Sequence, residues 1–423
     1  MTDPGTDPGT DPGIDPGIGS STSARTSRPG VTLALLALAH AVIHAQSALM
    51  PLIYPIVIVQ FALNPRDIGL FIAVTTAVGG LMQLLYGFLI RWIARPALLA
   101  GGQLVFGAGL LIGGLSSSLG QLLGAISLSR VGASPQHTVG NALLSDLYPP
   151  RRRGFAISAH IAGGNIGSVL VPFVGLALIN SVGWNATLAI FGVPALVVGT
   201  LIAVSVREDS HAYRAAARGS GTIRGQLGEV VRRRDLRLIL GAALIAAGGR
   251  GLDIVAPFML LYLRGPLHLS AATTASLYAL LLVGAVVGPL LAGWLSDHFG
   301  RRRTLVVYYL LSAVGILAFL AAGSNLVLLV PLLLPFGTAV FSESPILQAY
   351  LADRAVGPTR DVAFSVYFTF AFGIGAFWAL VIGNVVASFG YPVAFGVMAA
   401  SYLGAALLLG LVPEPGAVGA DSA

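Results

Sequence analysis

Apolar runs of about 20 residues, each long enough to cross a hydrocarbon core, recur from residue 32 to residue 412. They constrain the chain more than any other feature. With 17 acids and 24 bases in 423 residues and 56% of the chain hydrophobic, no soluble fold of this size could cover so much apolar side chain. A soluble enzyme is excluded, and so is a disordered or fibrous protein. A membrane barrel would need short strands alternating apolar with polar residues, whereas these runs are continuous. The fold class that remains is an all-α polytopic membrane protein.

Twelve spans are predicted, at 32–59, 68–90, 97–117, 119–145, 155–180, 186–206, 237–262, 271–295, 304–323, 326–351, 362–387 and 390–412. The joints carry turn chemistry, among them Asn64-Pro65, Pro149-Pro150, Gly265-Pro266 and Gly357-Pro358. The long polar connection, 207–235, divides a six-helix bundle at 31–206 from a second at 236–412. Residues 1–30 repeat Thr2-Asp3-Pro4-Gly5 with small changes and are expected to form a disordered cytoplasmic tail rather than a signal peptide. Residues 413–423 form a second cytoplasmic tail.

The formal charge is 24 − 17 = +7, and every base is arginine. With the N-terminus in the cytoplasm, 20 arginines fall in inside segments and only Arg66 and Arg264 in outside loops. That asymmetry orients the chain with both termini inside. It accounts for the basic charge without a nucleic-acid partner. Arg232, Arg233 and Arg234 are expected at the lipid headgroups. The absence of cysteine removes disulfide and thiol chemistry, and the composition suits the cytoplasmic membrane of a GC-rich prokaryote.

The halves repeat one another. Gly87…Arg91…Arg95 after span 2 corresponds to Gly293…Asp297…Arg301 after span 8, an offset of 206. Ser134-Pro135 recurs as Ser344-Pro345, offset 210, and Arg153…Ala156…Ser158 as Arg360…Ala363…Ser365, offset 207. Duplicated halves are a transporter architecture, with the substrate near the bilayer midplane between them.

Gly293-x-x-x-Asp297-x-x-Gly300-Arg301-Arg302 is similar to the loop signature of the major facilitator superfamily, and the resemblance extends over residues 31–412. The copy after span 2 has Arg91 in place of the acid and Ala94 in place of the glycine. The resemblance implies two pseudo-symmetric six-helix bundles and a gating loop of Gly293, Asp297, Gly300, Arg301 and Arg302, with the arginines bridging the bundles in one state. Span 5 carries Gly163, Gly164, Asn165 and Gly167, then Pro172 and Gly175. This is similar to a pattern in the family's exporters, although helix packing alone would also favour such residues. From Arg130 to Gly167 the sequence resembles the fosmidomycin-resistance type of drug efflux protein.

The placement of costly residues comes from hydropathy alone. Spans 1, 4, 7 and 10 contain His40, His44, Arg130, His137, Arg250, Asp253 and Glu343, and the other spans contain only His160. Charge in hydrocarbon costs at least about 2.5–3.5 kcal/mol per group and is found facing a cavity or a partner. At 1.5 Å per residue, Arg130 lies about 16 Å from the outer end of its span and Arg250 about 20 Å from the inner end of its own. Both are near the midplane. Spans 1, 4, 7 and 10 are the cavity-lining ones in the resembling family. Arg250 and Asp253, three apart, can neutralise one another. Glu343 has no base in its span. Desolvation favours the uncharged form of a carboxyl, which suits an acid that takes up and releases a proton. Glu343 or Asp253 is therefore expected to couple protons, with His40 and His44 as second candidates. Arg130, with His137 and Arg250, is expected at the substrate cavity, suited to an anionic group. The aromatic stripe of span 11, from Phe364 to Trp378, is expected to pack against lipid or neighbouring helices.

These features predict a proton-coupled secondary transporter, an exporter (antiporter) working by alternating access. Its partners are a small molecule, protons and the bilayer, and it acts as a monomer. Proton symport or uniport for uptake of a small anionic solute is the runner-up, and a non-transporting receptor is remote. No catalysis, cofactor or metal is expected, because a metal would need ligands converging from spans 1 and 10 and no local ligand spacing supports one.

Overall fold

Where the apolar runs stop, short polar residues and prolines start the next helix. Asn64 accepts from the Arg66 and Asp67 amides at 2.9 and 3.2 Å, and Asp67 accepts from the Asn64 amide at 2.9 Å. With Pro65 in the first turn this is a complete capping box. Ser118 and Ser270 cap their helices in the same way, through the Gln121 and Thr273 amides.

The computed structural model describes residues 28–90, 92–208, 223–355, 363–364 and 366–412. Residues 1–27 and 413–423 of the expected tails, and the landmarks Arg91, Arg360 and Ser365, lie outside the described residues. The helices are α1 (Pro29–Gln60), α2 (Pro65–Leu89), α3 (Arg95–Gly113), α4 (Leu119–Ala133), α5 (Asn141–Leu147), α6 (Pro150–Val169), α7 (Val171–Ser205) and α8 (Ile223–Arg232). The second half follows with α9 (Arg234–Ala246), α10 (Ala256–Arg264), α11 (Ala271–Phe299), α12 (Arg301–Ala322), α13 (Leu326–Val340), α14 (Glu343–Arg354) and α15 (Phe377–Gly410). Short π turns occupy Gln136–Gly140, Gly251–Val255 and Thr369–Ile374. The connection read from sequence as a polar linker thus contains a helix, α8, and the first residues of α9.

Among the described residues, 9 helical stretches are long and apolar enough to cross a membrane. Two of them contain a sharp break with non-helical backbone, at Gly183 (φ 80°) and Gly390 (φ 82°). These glycines stand 207 apart, so the turn joining spans 5 and 6 is repeated between spans 11 and 12. Only glycine adopts such a backbone without strain. Gly390→Ala should destabilise the fold by about 1–3 kcal/mol, whereas Gly396→Ala, inside the same helix with open space at its Cβ, should be neutral or stabilising. Thermal unfolding in detergent separates the two. Equal melting temperatures would show that the reversal tolerates a side chain.

The buried apolar residues fall into two clusters, and their layout says where the halves are joined. One runs from α1 (Ala48 to Val57) and α2 (Ile68 to Ala73) across into α9–α15. The other holds Leu36, Leu98, Leu143, Leu144 and Ile202, all in the first half at the terminal face, where the described chain begins and ends. The halves therefore share a core at the far face and have separate cores at the terminal face. On the outside, Val59, Leu115, Val327 and Leu407 are each at least 74% exposed. They belong to a broad apolar belt that needs lipid around it.

Candidate functional site

Between the halves lies a cavity of about 230 Å³. Every one of the seven ionisable residues singled out in spans 1, 4, 7 and 10 lines it: His40, His44, Arg130, His137, Arg250, Asp253 and Glu343. The backbone around it is irregular. His137 sits in the first π turn, Asp253 in the second, and Phe370 and Phe372 in the third. Arg250 has extended dihedrals (φ −62°, ψ 133°) between a short 3₁₀ turn and the second π turn. Non-helical backbone at membrane depth is tolerated where it is buried in protein or lines a cavity, and wide turns re-aim side chains toward such places.

The second half contributes a buried ion pair. Arg250 Nε donates to Glu343 Oε1 at 3.1 Å, and the two side chains are 9% and 2% exposed. Arg250 also donates to the Ala371 carbonyl, and its guanidinium lies 4.3 Å from the centre of the Phe372 ring. Glu343 opens α14 directly after the break at Phe341 and Ser342, where the helix N-terminus favours negative charge. The sequence alternative that paired Arg250 with Asp253 is corrected. The arginine reaches across to Glu343, which has no base in its own span, and Asp253 forms none of the described ion pairs. Tyr367 and Ser344 share a hydrogen bond of 2.8 Å beside the pair.

The first half contributes imidazoles and one arginine. His40 and His44 are one turn apart on α1, and their rings are 4.5 Å apart. His40 also meets His137 at 4.8 Å and stacks on His160 at 4.5 Å. His137 stacks on Phe368 of the other half at 5.8 Å. Arg130 Nη1 donates to Ser47 Oγ at 3.3 Å, and no acid partners it in any described ion pair. The aromatic stripe divides: Phe368 and Phe372 line the cavity, Phe377 is exposed, and Trp378 donates to the Leu244 carbonyl at 2.9 Å.

The span 5 glycines act as contact surface for α1. A Cβ on Gly163 would lie 2.9 Å from Ala37, on Gly167 2.7 Å from the Ala41 Cα, and on Gly164 3.0 Å from His40 Nδ1. Gly175 faces Leu49 and Leu52, Pro172 sits in the first turn of α7, and Asn165 lines the cavity. This matches the packing reading of the pattern, with Gly164 making room for the His40 ring.

In the loop after α11, Gly300 has φ 88°, which accounts for glycine there. Arg301 pairs with Asp297 at 2.6 Å and Asp353 at 3.2 Å, and Arg302 donates to the Val412 carbonyl at 2.7 Å. Gly293 has open space at its Cβ. These described partners all lie in the second half, so none is a bridge between the bundles. The loop after α2, which looked degenerate in sequence, keeps the same clamp: Arg95 pairs with Asp146 at 2.7 Å and with Glu208. Arg95 and Arg301 are 206 apart, and Asp146 and Asp353 are 207 apart. Sequence reasoning passed over this pair, although the spacing held the signal. At the far face the halves meet closely. Arg66 Nε donates to Asn384 Oδ1 at 2.5 Å, and a Cβ on Gly69 would lie 3.0 Å from the Gly383 Cα.

Two like halves in a lipid-facing shell, joined at one face around a polar cavity, define a membrane transporter. The model of the Major Facilitator Superfamily matches residues 36–257 and 239–423, and the chain belongs to that family, whose members are transporters rather than enzymes. The chain is 24% identical to the 4-hydroxybenzoate transporter PcaK of Pseudomonas putida, over 68% of this chain and 69% of that one. It is also 24% identical to the fosmidomycin resistance protein of Escherichia coli K12, over 86% and 88%. Among solved structures, a mutant of the nucleoside transporter NupG superposes with a TM-score of 0.72 at 13% identity, covering 91% of this chain and all of that one (100%). An inward-facing, unoccupied bacterial homologue of the lysosomal transporter Spinster superposes at 0.67 with 16% identity, covering 91% and 95%. These likenesses show the same fold.

Proposed function

We propose that the chain is a proton-coupled secondary transporter that carries a small organic anion across the cytoplasmic membrane by alternating access, with export as its direction. The observation that carries this reading is the layout of the core: the halves share buried apolar side chains at the far face only. With twelve spans and both termini in the cytoplasm, as the arginine distribution favours, this is a state open to the cytoplasm. On that reading residues 31–206 and 236–412 are the two moving bundles, joined by 207–235. The clamps at Arg95 and Arg301 brace each bundle, and a monomer suffices. Glu343, released from Arg250, is the acid that takes up the proton, with Asp253 in reserve.

Arg130 supplies the anion selectivity, because its guanidinium faces the cavity with only a serine as described partner. Export rests on the likeness to the fosmidomycin resistance protein. Uptake by proton symport is the second reading, favoured by the likeness to 4-hydroxybenzoate transporters and by Phe368 and Phe372, which line the same cavity as Arg130.

Proteoliposomes containing a pH-sensitive dye test the proposal, with aromatic and phosphonate anions added one at a time. The expected result is anion-dependent proton movement whose sign, with protein orientation fixed, gives the direction. Arg130→Ala should raise the half-saturating anion concentration about 10–100-fold, the loss of one charge-assisted hydrogen bond. Equal saturation in the variant would remove Arg130 from the site. Anion flux without proton movement would overturn the proton reading in favour of a uniporter or coupling to another ion.

A further inference from the structure

Four imidazoles from three helical segments meet on one wall of the cavity, and no carboxylate lies among them. His40 and His44 come from α1, His137 from the first π turn and His160 from α6, with His40 at the centre. The tautomer of His40 follows from its surroundings. Its Nδ1 lies 3.0 Å from the His160 carbonyl oxygen, which can only accept, so Nδ1 carries the hydrogen and Nε2 presents a lone pair. His40 is 1% exposed, and among the described residues its Nε2 has no hydrogen-bond partner. Buried polar atoms are ordinarily satisfied, so a lone pair held in place by the far side of its own ring marks a position made for something else.

Ring nitrogens of His40, His44 and His137, one from each, lie within 4.8 Å of one another. We propose that these three histidines form a binding site for a divalent transition-metal ion of the zinc, cobalt or nickel class. The inference stands on the imidazole geometry and does not depend on the direction or substrate of transport. Metal–nitrogen bonds of about 2.0–2.1 Å place tetrahedral ligands about 3.4 Å apart, so a side-chain rotation that closes the triad by roughly 1–1.5 Å completes three corners. The hydrogen bond from His40 Nδ1 to a backbone carbonyl is the usual support behind a ligating imidazole. An all-nitrogen set selects against calcium and magnesium, which take oxygen. The fourth corner faces the cavity, where Arg130 also lies. Its charge favours an anionic occupant there, a carboxylate of the solute or chloride or hydroxide from solution, over neutral water. The sequence reading expected no metal, because ligands would have had to converge from spans 1 and 10; the fold instead brings histidines of span 1 against one of span 4.

The test uses the full-length protein in detergent, purified by an affinity tag without histidine, stripped with chelator and titrated with cobalt(II) and zinc(II). One equivalent of cobalt should bind, with the intense visible absorption of a tetrahedral site. His44→Ala and His137→Ala should each weaken binding at least 100-fold, while His298→Ala, outside the cluster, leaves it unchanged. Gly164→Ala keeps all ligands but displaces the His40 ring and should also weaken binding, and it covers the case in which a histidine variant fails to fold. Metal should raise the melting temperature of the wild type and not that of the triad variants. No saturable binding by the wild type, or equal binding by folded triad variants or by Gly164→Ala, would overturn the assignment.

Discussion

Replacing Gly69 with alanine should open the transporter toward the face that is now closed. The Cβ of that alanine would press on the Ala379 carbonyl and lie 3.0 Å from the Gly383 Cα. Both are backbone atoms, so no side chain can swing away to make room. Overpacking of this kind costs about 1–3 kcal/mol, and the cost falls only on the state in which α2 and α15 touch. A change of about 2 kcal/mol shifts the balance of two states roughly 30-fold. The chain has no cysteine, so a single Thr76→Cys, on the cavity wall, reports access against no background. In oriented vesicles, an impermeant maleimide applied from the far face should label it at least about ten times faster when Gly69→Ala is present. Unchanged labelling would mean that the Gly69–Gly383 contact does not hold the far face shut.

The second large effect is expected at the buried pair. Removing one member of a buried ion pair costs about 3–5 kcal/mol because the other is left charged and desolvated. Glu343→Gln keeps a hydrogen-bonding group near Arg250, and Arg250 retains the Ala371 carbonyl and the Phe372 ring, so the lower end of that range is expected. Proton-driven flux should be lost with it. The double variant Arg250→Met with Glu343→Gln separates structure from function. It should recover most of the melting temperature, because no unpaired charge remains, and none of the proton-driven flux. Recovery of flux in the double variant would show that the pair only neutralises itself and that the coupling acid is elsewhere, with Asp253 next to be tested.

Charge was readable in the sequence because it is rare in these spans. Each of the seven costly residues in spans 1, 4, 7 and 10 reaches the same cavity, since a group that cannot face lipid has few other places to go. Which of them touch was not readable. Arg250 and Glu343 are 93 residues apart, and periodicity says nothing about the rotation of one helix against another. The same limit hid the far-face contact of Gly69 with Gly383. The irregular turns around His137, Asp253 and Phe372 were invisible as well, because the loss of a regular helical ladder there follows from tertiary packing rather than from local propensity. By contrast, the reversals at Gly183 and Gly390 were recoverable: Ser181-Val182-Gly183 and Ser388-Phe389-Gly390 stand at the offset already visible elsewhere in the chain.

The two arginine clamps occupy equivalent positions and yet answer to different solvents. Arg95 is 3% and Glu208 8% exposed, whereas Arg301 is 25% and its partner Asp353 54% exposed. Mobile ions reach only the Asp146 arm of the first clamp, whose acid is 53% exposed, but both acids of the second, where the screening distance is about 10 Å at 0.1 M salt and about 3 Å at 1 M. Rising ionic strength therefore loosens the whole of the second clamp but only one arm of the first, whose Glu208 contact stays closed. A duplicated protein thereby becomes mechanically lopsided, and the ionic strength of its surroundings sets by how much.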